Sequence, residues 1–165
     1  MKKVLIVTVA LFLAFNCFAQ EQLAFPFQGG KEVMAKFFKD SLIVSSQLIS
    51  QKATGTAVFK FTADEKGTIK KIIIYYADDI RLTQPIIEAL KKSNHKWVIP
   101  DHEKFHDFII PFNISFNTPA VPGAALQKAV YNFSTHRKPI VTTDQVPLDM
   151  ATLLPTVTVN YDLPH

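Results

Sequence analysis

Few residues in this chain have the type and spacing to do chemistry. His102 and His106 lie four apart, flanked by Asp101, Glu103 and Asp107. On a helix that spacing sets two imidazoles on one face, as a zinc site requires. Here the segment leads from a polar stretch into alternating apolar residues. It reads as a loop entering a strand, where the rings do not align, so a solvated loop is expected and no metal is assigned. Asp78-Asp79 has the makings of an acid–base pair or of a solvated turn ahead of a helix, and the turn is the expected role. Ser41, Ser45, Ser46 and Ser50 have no histidine near them in sequence, and there is no Gly-x-Ser-x-Gly or phosphate-binding loop. Cys17 is the single cysteine. No catalytic residue and no cofactor is assigned, and the chain reads as a binding protein and not an enzyme.

The N-terminus carries the signals of export. Lys2 and Lys3 precede an apolar run from Val4 to Phe15, then Asn16-Cys17-Phe18-Ala19. A basic end, a short apolar core and small residues before a cut site make a signal peptide, expected over 1–19 with cleavage after Ala19. The run is shorter than the roughly 20 residues a bilayer span needs. A second reading places a lipid on Cys17, although Phe15-Asn16 are not the small residues such a signal carries. Left uncut, the segment would be the chain's only contact with a membrane. The expected location is therefore the periplasm or the exterior. Losing Lys2 and Lys3 lowers the 18 basic residues to 16 against 14 acidic ones. A net +2 is too weak a surplus to suggest a nucleic-acid partner. The mature chain has no cysteine, so it depends on its core without a covalent staple.

Apolar residues make up 48% of the 165 positions, with fourteen Phe. That is ample for a core and favours strands. Val33, Met34, Phe37, Phe38 and Leu42 recur at helical spacing, predicting a helix over 31–43. Ser45–Lys52 is ambiguous, a loop or an extra turn. Ala57, Phe59, Phe61 and Ala63 alternate with polar neighbours, predicting a strand over 54–63. Asp64 to Gly67 forms a turn and 68–76 a second strand, with a bulge or a strongly twisted start where Ile69 to Ile72 breaks the alternation. Thr83 and Pro85 open a second helix carrying Ile86, Ile87, Ala89 and Leu90. Trp97 is expected to seal the end of that helix against the sheet. Phe108, Ile110, Phe112, Ile114 and Phe116 form the cleanest alternation, within a third strand over 105–116. Six of the ten prolines lie beyond Asn117. A folded unit over 24–117 is expected to precede a Pro-rich tail, 118–165, that is partly ordered or wraps the domain. A helix near 124–131 and a strand face at Val157, Val159 and Tyr161 are open alternatives within it.

The order helix, hairpin, helix, strand resembles the TonB C-terminal domain, in the form found in exported Bacteroidetes proteins. The resemblance rests on Phe27-Gln28-Gly29-Gly30, Phe37, Ser41-Leu42, Gly55 to Gly67, Ile69 to Ile74, Leu82 to Lys92 and Pro111 to Phe116, while Trp97-Val98-Ile99-Pro100 is one residue longer than the usual tryptophan element. It covers about residues 25–117; Val44-Ser45 stands where Tyr-Pro is usual. It implies an α+β fold with two helices packed on a small, mainly antiparallel three-stranded sheet. It also implies a module of envelope transport that binds an extended peptide, such as a segment of an outer-membrane receptor, at a sheet edge.

The third strand is the expected docking edge. It follows a helix, and Pro111 suits an edge. Its outward amides would run through Ile109, Asn113 and Ser115, leaving Asn113–Phe116 as the docking segment. Thr156–Tyr161 folding back onto that edge is the competing arrangement. A small-ligand-binding α+β domain, its Phe-rich faces forming a cup, is the alternative function. The export reading has a direct check: N-terminal sequencing of the mature protein is expected to begin at Gln20, and an intact Met1 or a lipid on Cys17 refutes it.

Overall fold

The computed structural model describes residues 25–121, 123–143 and 150–164. The signal-peptide, cleavage and Cys17 expectations lie outside the described residues. The described chain is α+β. Its order is α1 (Gly30–Ser41), α2 (Ser46–Ser50), β1 (Gly55–Asp64), β2 (Ile69–Ala77), a 3-10 turn (Ile80–Leu82), α3 (Thr83–Lys92), β3 (Phe105–Phe116), α4 (Ala124–Thr135), β4 (Ile140–Val141), β5 (Thr152–Leu153) and β6 (Val157–Tyr161). The six strands form one mixed sheet in the order β4-β2-β1-β3-β5, with β6 also on β3.

Alternation builds the sheet. Phe59 and Phe61 of β1 lie opposite Ile110 and Phe108 of β3 on one side and Ile74 and Ile72 of β2 on the other. All three strands therefore turn one apolar face to α1 and α3. The expected bulge is present: Thr62 pairs with Lys71 and Ala63 with Ile69, so Lys70 is the extra residue. That insertion keeps both Ile69 and Ile72 on the Phe face. A second irregularity falls at Tyr75, between the Phe59–Ile74 and Val58–Tyr76 pairs.

The helices close this face. Met34 and Phe38 of α1, and Ile86, Ala89 and Leu90 of α3, are buried. Both Gly29 and Gly30 have positive φ, 88° and 87°, and turn the chain into α1. Trp97 is 2% exposed. Its ring lies 4.6 Å from Phe61 and 5.0 Å from Phe27, and its indole N–H donates to Ser93 Oγ at 2.9 Å. The hairpin turn packs against the same spot. Gly67 has φ 70°, and a Cβ there would lie 2.5 Å from the Trp97 carbonyl oxygen. Thr83 does not cap α3 as expected. Its hydroxyl donates back to the Ile80 carbonyl at 2.7 Å, and Asp79 caps the 3-10 turn ahead of it. The ambiguous stretch after Val44 is the short helix α2, capped by Ser45.

The tail takes the wrapping alternative, with the helix Ala124–Thr135 and Val157, Val159 and Tyr161 on one face of a strand, and it overturns the edge expected of β3. β3 is not an edge strand: β1 pairs with it antiparallel, and β5 and β6 pair with its other side in parallel. The three-stranded sheet becomes six-stranded and mixed, and four helices replace two. Nor does the core stop at 117. Phe133, Leu154, Val157, Val159 and Tyr161 are all buried in it. The tail also reaches the opposite edge, where Ile140 and Val141 pair with Ala77 and Tyr76. Pro139 stands just ahead of β4 and Pro155 between β5 and β6, where no ladder bond is asked of them; the prolines do not mark the end of the fold.

The size of the tail's contribution sets an expectation. Burying one large apolar side chain stabilises by about 1.5–3 kcal/mol. Five amount to roughly 10 kcal/mol, comparable with the whole stability of a typical domain, about 5–15 kcal/mol. A chain of residues 24–118 is therefore expected to lose its cooperative thermal transition. Calorimetry against the mature chain checks this, and an unchanged transition refutes it.

Candidate partner-binding edges

The four residues expected to receive a partner lie on β3, and the chain itself occupies that edge. The parity was read correctly: the even-numbered residues of β3 face β1, and Ile109, Pro111, Asn113 and Ser115 face outward. Outward, however, they meet the tail. Ile109 lies opposite Leu153 and accepts the Leu154 N–H at 2.8 Å. Asn113, Ser115 and Phe116 lie opposite Thr158, Asn160 and Tyr161. Pro111 stands in the gap between the β5 and β6 pairings, where no ladder bond is asked of it. Past Phe116 the ladder continues, as the Asn117 N–H donates to the Tyr161 carbonyl at 3.0 Å. Tyr161 Oη donates to the Ala53 carbonyl at 2.8 Å, and burial pushes its hydroxyl up to about 12.

Asp78-Asp79 is a helix entry, with Asp79 capping the 3-10 turn, and is not solvated. Asp79 is fully buried. It accepts from Arg81 Nε at 2.8 Å, Arg81 Nη2 at 2.6 Å and the backbone N–H groups of Arg81 and Lys138 at 2.8 and 3.0 Å. Burial pushes its carboxyl up, but these donors outweigh that and hold it below its ordinary value. A carboxylate so held is a poor proton donor or acceptor near neutrality. Asp78 accepts from the Thr56 N–H at 2.8 Å and from the Tyr76 hydroxyl. Arg81 and Arg137 face the Phe133 ring at 4.7 and 5.9 Å. The pair thus pins the strap after α4 to β1, β2 and the 3-10 turn.

The histidines are placed by structural contacts as well. His106 is largely buried, with Nδ1 2.7 Å from Glu103 Oε2 and Nε2 2.7 Å from Thr152 Oγ1, joining β3 to β5. His102 sits at φ 71° in an exposed turn. No group of three metal-ligating side chains occurs among the described residues. On the sheet's other face Lys60 is 3% exposed and contacts Asp107 at 3.0 Å, while the Thr62 hydroxyl donates to Asp107 at 2.5 Å.

Among the surface spaces lined by described residues, two are of note. One of about 440 Å³ lies between Phe25-Pro26, Val98–Pro100 and Leu153. The other, about 420 Å³, runs between β2 and α3, lined by Ile69, Ile72, Ile74, Ile87 and three lysines. Reasoning from sequence passed over this second groove. Its traces were the Ile72-Ile73-Ile74 run and the placement of Ile87 and Lys91 one helical turn apart, both of which read equally well as core. Compared with models of known families, with curated proteins and with solved structures, the chain matches none.

The Asp79 cluster predicts a pH dependence. Breaking a fully buried ion pair costs about 3–5 kcal/mol. With Arg81's side chain 30% exposed, Asp79→Asn is expected to cost about 2–3 kcal/mol. Because the folded carboxyl titrates below its ordinary 3.8, the unfolded chain takes up the proton first. The pair's contribution is full above about pH 4 and lost as pH falls through the folded value. Denaturant titrations at pH 7 and pH 3 check this: the variant should lie well below wild type at pH 7, with the gap narrowing at pH 3.

Proposed function

We propose that the chain is an exported interaction module of the cell envelope that binds an extended segment of a protein partner at an edge of its sheet. The carrying observation is that β3 already holds such a segment. β6 lies along it in parallel through five residue pairs, from Phe112–Val157 to Phe116–Tyr161. Val157, Val159 and Tyr161 point inward and Thr158 and Asn160 outward. This is strand addition performed in cis, with backbone bonds giving affinity and alternate side chains giving selectivity. The basic, apolar N-terminal segment supports export, and the resemblance to the TonB C-terminal domain supports a partner peptide as guest.

A ligand cup is supported less well. Phe38, Phe59, Phe61, Phe108 and Phe112 are fully buried, with neighbouring rings 4.6–6.3 Å apart. Side chains thus fill the Phe-rich interior where a ligand would have to sit. Photo-crosslinking in cells tests the proposal. A benzoylphenylalanine placed at the exposed edge positions Lys70 or Asn160 is expected to give a discrete protein adduct in the envelope fraction. Lys128, on the exposed face of α4, should give none. No adduct from either edge would overturn the reading.

A further inference from the structure

Where β3 pairs with β5, three side chains form a hydrogen-bonded chain. His106 Nε2 lies 2.7 Å from Thr152 Oγ1, and Nδ1 lies 2.7 Å from Glu103 Oε2. A carboxylate only accepts, so Nδ1 carries the ring proton. The neutral ring then offers Nε2 as the acceptor of the Thr152 O–H. A hydroxyl is thus bonded to a base whose tautomer a third group fixes, the arrangement of an activated nucleophile. Two of the three residues sit on paired strands, which hold the hydroxyl against the ring. His106 is largely buried, and the Phe108 ring packs edge-on against it at 4.8 Å.

The hydroxyl also faces a space. Thr152 lines the cleft of about 440 Å³, together with Pro26, Val98, Ile99, Phe108 and Leu154. Two of its wall residues, Val98 and Leu153, are 43% and 69% exposed, so the cleft reaches the surface. Asp101 is the only charged residue among its described walls. Leu154 gives its N–H to Ile109, so Leu153 turns its own N–H away from β3. Acyl-transfer sites draw an oxyanion donor from the amide directly after the nucleophile, which is the place Leu153 holds.

We propose that Thr152, His106 and Glu103 form an acyl-transfer site that hydrolyses esters of uncharged, apolar acyl groups. This activity goes beyond the strand-binding role and does not depend on it. Thr152 Oγ1 attacks the acyl carbon, and its proton passes to His106 Nε2. The tetrahedral adduct collapses, the bond to the alcohol oxygen breaks, and Nε2 hands the proton to that oxygen. A water then gives a proton to Nε2 while its oxygen bonds the acyl carbon. Oγ1 leaves, takes the proton back from Nε2, and the carboxylic acid departs. Glu103 accepts from Nδ1 throughout and steadies the imidazolium. The apolar walls take the acyl chain, and Asp101 disfavours an anionic one.

The test treats the mature full chain with an alkyl fluorophosphonate and locates the adduct by peptide mass spectrometry. Attack by Oγ1 expels fluoride and leaves a phosphonate ester on Thr152. Hydrolysis of p-nitrophenyl butyrate is followed in parallel. Thr152→Val, of the same shape without the hydroxyl, and His106→Gln are expected to lose the adduct and fall to the uncatalysed rate. Thr152→Ser is expected to keep both. Glu103→Gln is expected to lower kcat about a hundredfold with KM little changed. His102→Ala, in the exposed turn, should alter neither. The adduct is mapped on the wild-type chain, so the test stands even where a variant fails to fold. No adduct, an adduct on another residue, or equal turnover by Thr152→Val and wild type would overturn the proposal.

Discussion

An extended strand with a buried apolar face and a row of unpaired amides cannot stay bare in water without inviting another strand. β3 is that strand here, and how its outer side is satisfied governs the rest of the molecule. Phe108, Ile110, Phe112 and Ile114 are committed to the core, so the strand cannot tilt away to hide its edge. The chain answers with its own C-terminal segment. Parallel pairing on β3 requires that segment to arrive from the far end of the sheet. The route passes through α4, along β4 at the β2 edge, and back to β5 and β6.

That detour explains the polar anchors. A strap running over the surface gains little from burial until its ends dock, so it needs fixed points. Asp79 supplies one, taking the Lys138 N–H while its other bonds go to Arg81. The Ile80 N–H returns to the Lys138 carbonyl at 2.9 Å, and Arg137 Nη2 donates to Thr54 at 3.0 Å. Tyr161 and His106 supply the others, on Ala53 and Thr152. Each anchor joins residues far apart in sequence, so each adds most once the core has closed.

The two edges of the sheet are treated unequally. The β3 side is covered through β5, β6 and the Asn117–Tyr161 bond. Among the described residues, β4 pairs with the β2 side over two residues.

Local pattern was enough to define the long elements up to residue 116. Two-residue alternation marked β1 and β3, three- and four-residue spacing marked α1 and α3, and the broken alternation at Ile69–Ile72 marked the bulge, because each signal lies within one element. The outward parity of Ile109, Asn113 and Ser115 was legible for the same reason. What lay beyond them was legible only as an alternative, Thr156–Tyr161 folding back onto the edge, with nothing local to choose it. Pairing between β3 and β6 joins residues about 45 positions apart, and its payoff comes from burying Val157, Val159 and Tyr161 against a core that no local window contains. Asp79 was misjudged on the same ground: Asp-Asp ahead of a helix looks solvated until Arg81 and Lys138 close around it. By itself the sequence determined β1, β2, β3, α1 and α3, and the outward parity of β3's amides. Tertiary structure alone decided which of those amides meet another strand, because strand pairing is settled by burial and chain closure over the whole molecule.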